Sequence, residues 1–389
     1  MRIAHVINGL DDGGAEAVLY RLCTADNENE HVVISLQDEG KYGPKLRQIG
    51  VRVETIGMRR RRLGASSLAR LTRALRRSEA DVVQAWMYHA NLLGGLAARV
   101  AGRAPVVWGV HHTNLSPAST AVSTRAIARL GGAASRLLPK RIVYCAERTR
   151  AVHEAIVYAW ARGIVIPNGY DLREFRPDPA SGMAWRRAAG IREDVALVGM
   201  VGRFDPQKDH RNLLEAVAIA ARSEPRFEVA LVGPRMEWTN AELSAWISET
   251  GTSDRVHLLG RSDDVPAVMN GVDVHVLSSR SEAFPNVVCE AMACGTPNVV
   301  TDVGDAAAIV ADTGWVVPPG DAQALAGALV ASLRERAASS QASSRRCERA
   351  RARVAEHYSL ERMVDAYRRV WCEVHAMRAQ VRPLIGRAS

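Results

Sequence analysis

The chain lacks any uninterrupted apolar run near the length of about 20 residues that crosses a bilayer. Aromatic residues make up only 5% of it, and none cluster beside its arginines, so a base-stacking nucleic-acid groove is not expected. No C-x-x-C pair occurs among Cys23, Cys145, Cys289, Cys294, Cys347 and Cys372. Most of these cysteines sit inside apolar or helical runs, which favours reduced thiols over a disulfide framework. There is no D-x-D triplet to hold Mg²⁺ on a diphosphate, and His111 and His112 are neighbours rather than partners one turn apart. No metal and no resident cofactor are therefore expected. The opening "MRIAHVING" reads as a strand rather than a secretory leader, so the expected compartment is cytoplasmic.

Acids are outnumbered, 42 against 51 lysines and arginines, for a formal charge of +9 that points to an acidic partner. The stretch Met58 to Arg77 holds eight arginines and no acid. Leu68, Leu71 and Leu75 share one helical face there, a basic amphipathic pattern suited to an anionic membrane surface through Arg59–Arg77.

At 389 residues, 47% hydrophobic and 24% charged, the chain is expected to form two soluble α/β domains. Short Val/Ile-rich runs alternate with helical periodicity throughout. In the first half they are Arg2–Ile7, His31–Leu36, Val51–Ile56, Asp81–Ala85, Pro105–Val110, Arg141–Cys145 and Gly163–Ile166. In the second they are Ala196–Val201, Phe227–Val232, Arg255–Leu259, Asp273–Leu277, Asn298–Thr301 and Trp315–Val317. Buried strands alternating with helices predict two doubly wound parallel sheets. The break is the Pro/Gly/Asp-rich "PNGYDLREFRPDPASG" at Pro167. The expected division is 1–167, a linker at 168–190, a second domain at 191–358, and a terminal helix at 359–389 that returns to the first domain. Its apolar stripe is Met363, Tyr367, Val370, Trp371 and Val374. The Ala/Ser/Arg-rich Arg334–Arg353 reads as a solvated helix.

Ligands of such sheets bind beyond the strands' carboxyl ends, and the loops there are chemically loaded. "NGLDDGGAEAVL" places Gly13 and Gly14 before a helix, where backbone amides can approach a phosphate. "VGRFDPQKDHRNLLEA" places Arg203 and Lys208 five apart, a fork and a point charge able to grip a diphosphate. "SRSEAFPNVVCEAMACG" places Glu282 before a helix that starts near Pro285–Asn286, and Glu290 about one turn inside it. Carboxylates flanking an amide-lined anion site suit a ligand with sugar hydroxyls at both ends and phosphate between them. His111 and His112 follow another strand of the first half.

Together these motifs resemble the retaining glycosyltransferases of family 4. "IPNGYDLREFRP", "GRFDPQKDHRNLLEA", "LLGRSDD", "GWVVPPGD" and the tail "HYSLERMVDAYRRVW" extend the likeness over nearly the whole chain, and Glu282 and Glu290 match the family's E-x7-E pair. The resemblance implies the GT-B architecture, two facing Rossmann-like domains with a cleft between them. It implies metal-free transfer of a hexosyl or N-acetylhexosaminyl group, with retention, to a hydroxyl acceptor such as a lipid-linked or cell-surface glycan precursor. The donor is a nucleotide-sugar, with UDP the favoured carrier. Arg203 and Lys208 would bind the donor diphosphate with Gly13 and Gly14, and Glu290 would hold the ribose. Arg261 would lie by the nucleobase. Glu282 would face the sugar with the backbone of Phe284 to Asn286, and either His111 or His112 would sit near the reacting carbon. Ala283 stands where the family usually has glycine, which bears on donor choice. Peripheral association with the inner face of a membrane follows from the lipid-linked acceptors of many relatives. The competing class is a non-catalytic nucleotide-sugar or glycan-binding protein of the same fold.

Overall fold

The computed structural model describes residues 1–11, 13–58, 64–102, 104–113, 115, 120–224, 226–338 and 340–381. The chain divides into two compact domains, one of Met1–Gly169 with the chain from Leu360 on, the other of Tyr170–Ser359.

The first domain holds β1 (Arg2–Ile7), β2 (Glu30–Ser35), β3 (Arg52–Thr55), β4 (Val82–Trp86), β5 (Val106–Val110), β6 (Arg141–Tyr144) and β7 (Gly163–Val165). They form one sheet in the order β3-β2-β1-β4-β5-β6-β7, every pair parallel. Its helices are α1 (Gly14–Ala25), α2 (Tyr42–Gln48), α3 (Ala65–Ser78), α4 (Tyr88–Ala101), α5 (Val122–Ala134) and α6 (Glu147–Ala155). In the second domain the helices are α7 (Pro179–Ala188), α8 (His210–Ala220), α9 (Ala241–Glu249), α10 (Val265–Gly271), α11 (Asn286–Ala293), α12 (Ala306–Val310), α13 (Ala322–Ala338) and α14 (Ser340–His357). Its strands are β8 (Ala196–Val201), β9 (Phe227–Val232), β10 (Val256–Leu258), β11 (Val274–Leu277), β12 (Asn298–Thr301) and β13 (Trp315–Val317). Their order is β10-β9-β8-β11-β12-β13, again all parallel. Strands such as β4 and β5 are buried along their whole length, which is why their sequences show continuous apolar runs rather than alternation.

The last helix, α15 (Leu360–Val381), belongs to the first domain. Met363, Tyr367, Val370, Trp371 and Val374 join Ile3, Ile7, Leu19 and Leu22 in one buried cluster. Trp371 anchors there by donating its indole N–H to Gln84 Oε1 at 3.2 Å, and Arg368 donates to the buried Asp26 at 2.8 Å.

The stretch read as a linker is built into the second domain as α7. Gly182 and Gly271 are the contact points between α7 and α10. A Cβ on Gly182 would overlap the Asn270 carbonyl, and one on Gly271 would overlap the Trp185 ring. Asp178 caps α7 by accepting from Ser181 N at 3.1 Å.

Two readings of the arginine-rich segments change. Leu71 and Leu75 of α3 are buried in the core and Leu68 packs against it, so the apolar face of that helix already has cover, while Arg70 and Arg73 face solvent. Arg59–Arg62 lie outside the described residues. The Arg334–Arg353 segment spans the end of α13 and most of α14, and its arginines are not merely solvated. Arg351 donates to the carbonyls of Leu172, Phe175 and Ala293, and Arg353 to those of Ala308 and Ile309. Guanidinium groups thus satisfy carbonyls at or near the C-terminal ends of α11 and α12.

Candidate functional site

In the second domain the strand order reverses between β8 and β11, which pair through Val198–Val274 and Gly199–His275. The crevice beyond the carboxyl ends of two such strands is where an open parallel sheet holds its ligand. The loop after β8 brings Lys208 to Glu282 on the loop after β11. The ammonium donates to Glu282 Oε1 at 2.7 Å, and Ser279 Oγ donates to the same oxygen at 2.7 Å. The two side chains are 17% and 15% exposed, so the pair is shielded without being sealed. Arg203 turns toward Asp205 at 3.1 Å and is 58% exposed. Burial opposes ionisation of Asp205, but the Gln207 amide and Arg203 hold its carboxyl below the usual range.

Several ties that the sequence reading missed fix these loops. Asp209 sits in the left-handed region at φ 51°, and its buried carboxylate accepts from Arg280 Nε at 2.6 Å. Ser278 Oγ donates to the Lys208 carbonyl at 2.8 Å, and the Arg280 amide donates to the Gln207 carbonyl at 2.7 Å. Thr301 Oγ1 donates to the Ser279 carbonyl at 2.7 Å. Gly304, at φ +53°, lies so close to Glu282 and Ala283 that a Cβ would overlap their backbone. Asp209 and Arg280 were visible only as members of charge runs, which sequence alone reads as wet surface. Ala283 is absent from the residues with positive φ, so its backbone conformation does not require the glycine usual there.

Helix α11 begins immediately after this loop. Pro285 is its N-cap and no side chain caps it, so the positive end of the peptide dipoles is open to an anion. Phe284 is buried with its ring 5.6 Å from that of Tyr358, edge to face. Asn286 Oδ1 accepts from the Tyr170 hydroxyl at 2.5 Å. Glu290, one turn in, is only 7% exposed. Arg261 follows β10, the edge strand, with its side chain 46% exposed and 3.6 Å from Asp263. The structure thus brings Lys208 against Glu282, with Arg203 on the same loop as Lys208, while Phe284, Asn286 and Glu290 follow Glu282 into the start of α11 and Arg261 lies at the sheet's flank. A cavity of about 360 Å³ lies against the outer side of the same loops, walled by Phe204, His210, Trp246 and Arg280. It is lined by neither Lys208 nor Glu282, so the charge, not the hollow, marks the site.

The first domain carries its own loaded loops. Gly13 is the N-cap of α1 with an extended backbone, and Gly14 opens the helix. The Glu16 carboxylate folds back so tightly that a Cβ on Gly13 would overlap it. The helix start expected to meet a phosphate thus faces the chain's own carboxylate. His111 and His112 follow β5. The His111 ring lies 5.3 Å from that of Trp86, and its Nε2 is buried with no hydrogen-bond partner among the described residues. Burial pushes the His111 imidazole down to about 4. His112 meets Tyr88 edge-on at 6.1 Å. Asn8 Oδ1 accepts from the Ala90 amide at 2.9 Å and ties the β1 loop to α4, which starts after Met87 at φ 72°.

His5, Cys23 and His31 have ligand atoms within 4.8 Å of one another. The direction of their hydrogen bonds opposes a metal. Trp86 Nε1–H donates to His5 Nδ1 at 3.2 Å, so His5 Nε2 carries the proton and donates to His31 Nδ1 at 2.9 Å. A cation on Nε2 would set two N–H donors against each other.

Comparison with known proteins completes the identification. The family model "Glycosyl transferases group 1" matches residues 183–352, and "Glycosyltransferase Family 4" matches 12–174. The chain belongs to the family 4 glycosyltransferases, enzymes of the GT-B fold class. It is 30% identical over 260 residues to the 2-deoxystreptamine glucosyltransferase of Streptomyces kanamyceticus, covering 62% of this chain and 64% of that one, a little under two thirds. It is 26% identical to the Escherichia coli UDP-Gal:alpha-D-GlcNAc-diphosphoundecaprenol alpha-1,3-galactosyltransferase, over 68% of this chain and 69% of that one. The fold is similar to that of Anabaena HepE crystallised with UDP-glucose, at TM-score 0.83 and 24% identity, over 96% of this chain and all of that one.

Proposed function

We propose that this enzyme transfers a sugar with retention, and without metal, from a nucleotide-sugar to a hydroxyl acceptor. The observation that carries this is the Lys208–Glu282 pair at the reversal point of the second sheet, beside Arg203 and the uncapped start of α11. The glycosidic bond to the diphosphate breaks, its electron pair stays on the phosphate oxygen, and the acceptor oxygen bonds to the same carbon. The acceptor proton passes to a donor phosphate oxygen. Arg203, Lys208 and the amides of α11 meet the negative charge as it grows, which favours the transition state over the bound donor. Glu282 holds Lys208 in place and accepts from sugar hydroxyls, and Glu290 accepts from the ribose. His111 or His112 is the proposed contribution of the first domain near the reacting carbon, on the family resemblance, and burial holds the His111 imidazole neutral. Gly13 and Gly14, on the family resemblance, are the proposed backbone contacts to the phosphates.

UDP is the proposed carrier, supported by the donor of the E. coli relative and the ligand of HepE. A lipid-linked or cell-surface glycan precursor is the proposed acceptor class, since the E. coli relative acts on a diphosphoundecaprenol-linked sugar. A thermal-shift panel of UDP-, GDP- and ADP-sugars in EDTA identifies the carrier, because a ligand that binds the native state stabilises it. Lys208→Met is expected to lower donor turnover about 10²–10³-fold in a folded protein. Wild-type turnover by that variant, or transfer that requires a divalent cation, refutes the reading. Binding of a UDP-sugar without hydrolysis or transfer to any acceptor would instead favour a non-catalytic binding protein.

A further inference from the structure

The loops that carry Lys208 and Glu282 also wall the cavity of about 360 Å³, which lies wholly within the second domain at the start of α8 and α9. None of Arg203, Lys208, Arg261, Glu282 or Glu290 lines it, so it is distinct from the crevice assigned to the donor. Its walls are aromatic. The Phe204 ring lies 5.1 Å from that of His210 and 5.6 Å from that of Trp246. The Arg235 guanidinium stands 5.2 Å over Phe204. Arg235 has a left-handed backbone at φ 67°, and its carbonyl accepts from Asn240 Nδ2 at 2.9 Å. Most of the charges around the cavity are already paired. Arg211 is held by Glu215 and Glu249, Asp205 by Arg203, and Asp209 by Arg280 Nε. Among the described residues, the side chains of Arg235 and Glu242 have no hydrogen-bonded or ion-paired partner and do not meet each other, and only Nε of Arg280 is hydrogen-bonded.

We propose that this cavity is an effector site for a phosphorylated monosaccharide, whose binding tightens the enzyme's grip on its donor. The unpaired groups select the ligand. Guanidinium groups with free N–H donors match a phosphate, and two of them against one acid favour a dianion over the carboxylate of an amino acid. Ionised Glu242 only accepts hydrogen bonds, so it suits sugar hydroxyls. The apolar face of a pyranose packs against an aromatic wall. A volume at the low end for ligand pockets suits one sugar unit rather than a whole nucleotide-sugar. The coupling follows from the lining, because Asp205, Asp209 and Arg280 belong to the two loops that present Lys208 and Glu282. The Arg280 amide already donates to the Gln207 carbonyl at 2.7 Å, so a phosphate held by Arg280 adds a further tie there. A loop ordered by one ligand costs the second less entropy, and linkage makes the effect reciprocal. The binding site stands without the donor chemistry; the coupling rests on the donor reading above.

The test is titration calorimetry of the full chain with glucose 6-phosphate, against glucose, inorganic phosphate and glutamate as controls. Glucose 6-phosphate should bind the donor-free protein with a Kd of about 1 mM or tighter, more tightly than any control. It should also tighten UDP binding about 5–10-fold. Arg235→Gln/Glu242→Gln, a change of two exposed side chains, should weaken glucose 6-phosphate about tenfold or more and leave UDP affinity in its absence unchanged. The proposal falls if glucose 6-phosphate does not bind, if inorganic phosphate or glutamate binds as tightly, or if the double variant binds it like wild type. It falls equally if UDP competes with it, which would put the sugar phosphate in the donor crevice. Binding that leaves UDP affinity unchanged overturns the coupling. If UDP itself fails to bind, the donor reading fails, while the glucose 6-phosphate titration still decides the site.

Discussion

Acid should destabilise both domains well before their carboxylates titrate, because buried histidines are held neutral. His153 shows why. Its Nδ1–H donates to the Thr149 carbonyl at 2.7 Å, and its Nε2 accepts from the Tyr88 hydroxyl at 2.7 Å. A second proton would meet that hydroxyl head-on, in a site that water does not reach. Burial pushes His153 down to about 4, and does the same to His210 and His275 in the second domain. Burial and the neighbouring His31 drive His5 lower in the same sense. A base with a depressed folded value costs nothing above the unfolded value near 6.5. Below it, the unfolded chain gains a proton that the fold refuses, so stability falls from pH 6.5 until the folded value near 4. At pH 5.5 each such histidine costs about 1.4 kcal/mol, so His210 and His275 together remove about 3 kcal/mol from the second domain. That is a large share of a stability of order 5–15 kcal/mol. It should lower the melting temperature by about 6–12 °C. Calorimetry at pH 7.5 and 5.5, at fixed ionic strength, reads this directly. His275→Asn should reduce the pH slope in that window by about one proton. A melting temperature flat between those pH values would show that the imidazoles take up protons in place, and the tautomer argument would fail.

Other outcomes follow from single contacts. Gly304→Ala should cost about 1–3 kcal/mol from its left-handed backbone, and by displacing the Glu282 loop it should weaken the donor-induced thermal shift more than Gly57→Ala, also left-handed but in open space. Arg351→Ala leaves three carbonyls without their guanidinium and should cost about 2–4 kcal/mol in urea melts; a loss below 0.5 kcal/mol, the ordinary scale of surface substitutions, would mean water replaces it freely. Tyr170→Phe should cost about 1 kcal/mol and loosen Asn286 at the start of α11, raising KM for donor with little change in kcat.

The fold was legible because the strands are short, continuous apolar runs separated by helical period: Arg2–Ile7, Ala196–Val201, Phe227–Val232, Asn298–Thr301 and Trp315–Val317 have the same bounds in sequence and structure. The α15 stripe was equally plain. What sequence could not show was which charges are spent inside the molecule. Lys208 and Glu282 are 74 positions apart, and nothing local announces that they meet. Asp209 and Arg280, 71 apart, have the same problem, although they brace the same two loops. Only the fold shows the Glu16 carboxylate closed over Gly13. Helix α7 was hidden in a run of prolines and glycines because two of its determinants, Gly182 and the Asp178 cap, look like loop chemistry until α10 is placed beside them.

The formal charge of +9 does not say which cations a partner can meet. Arg186 is buried against Asp273 and the Gly271 carbonyl, Arg368 is bound to Asp26 and Glu28, and Arg351 and Arg353 serve carbonyls. A guanidinium so bound is structural. Counting charge along the sequence made Met58 to Arg77 the natural membrane contact, yet the physical criterion is an exposed cation beside an exposed apolar side chain. Helix α3 meets only the first half of that criterion, because Leu71 and Leu75 are buried and Leu68 packs against the same core. The same criterion separates Arg203, exposed and only lightly held by Asp205, from the arginines that cannot leave their carbonyls to meet a phosphate.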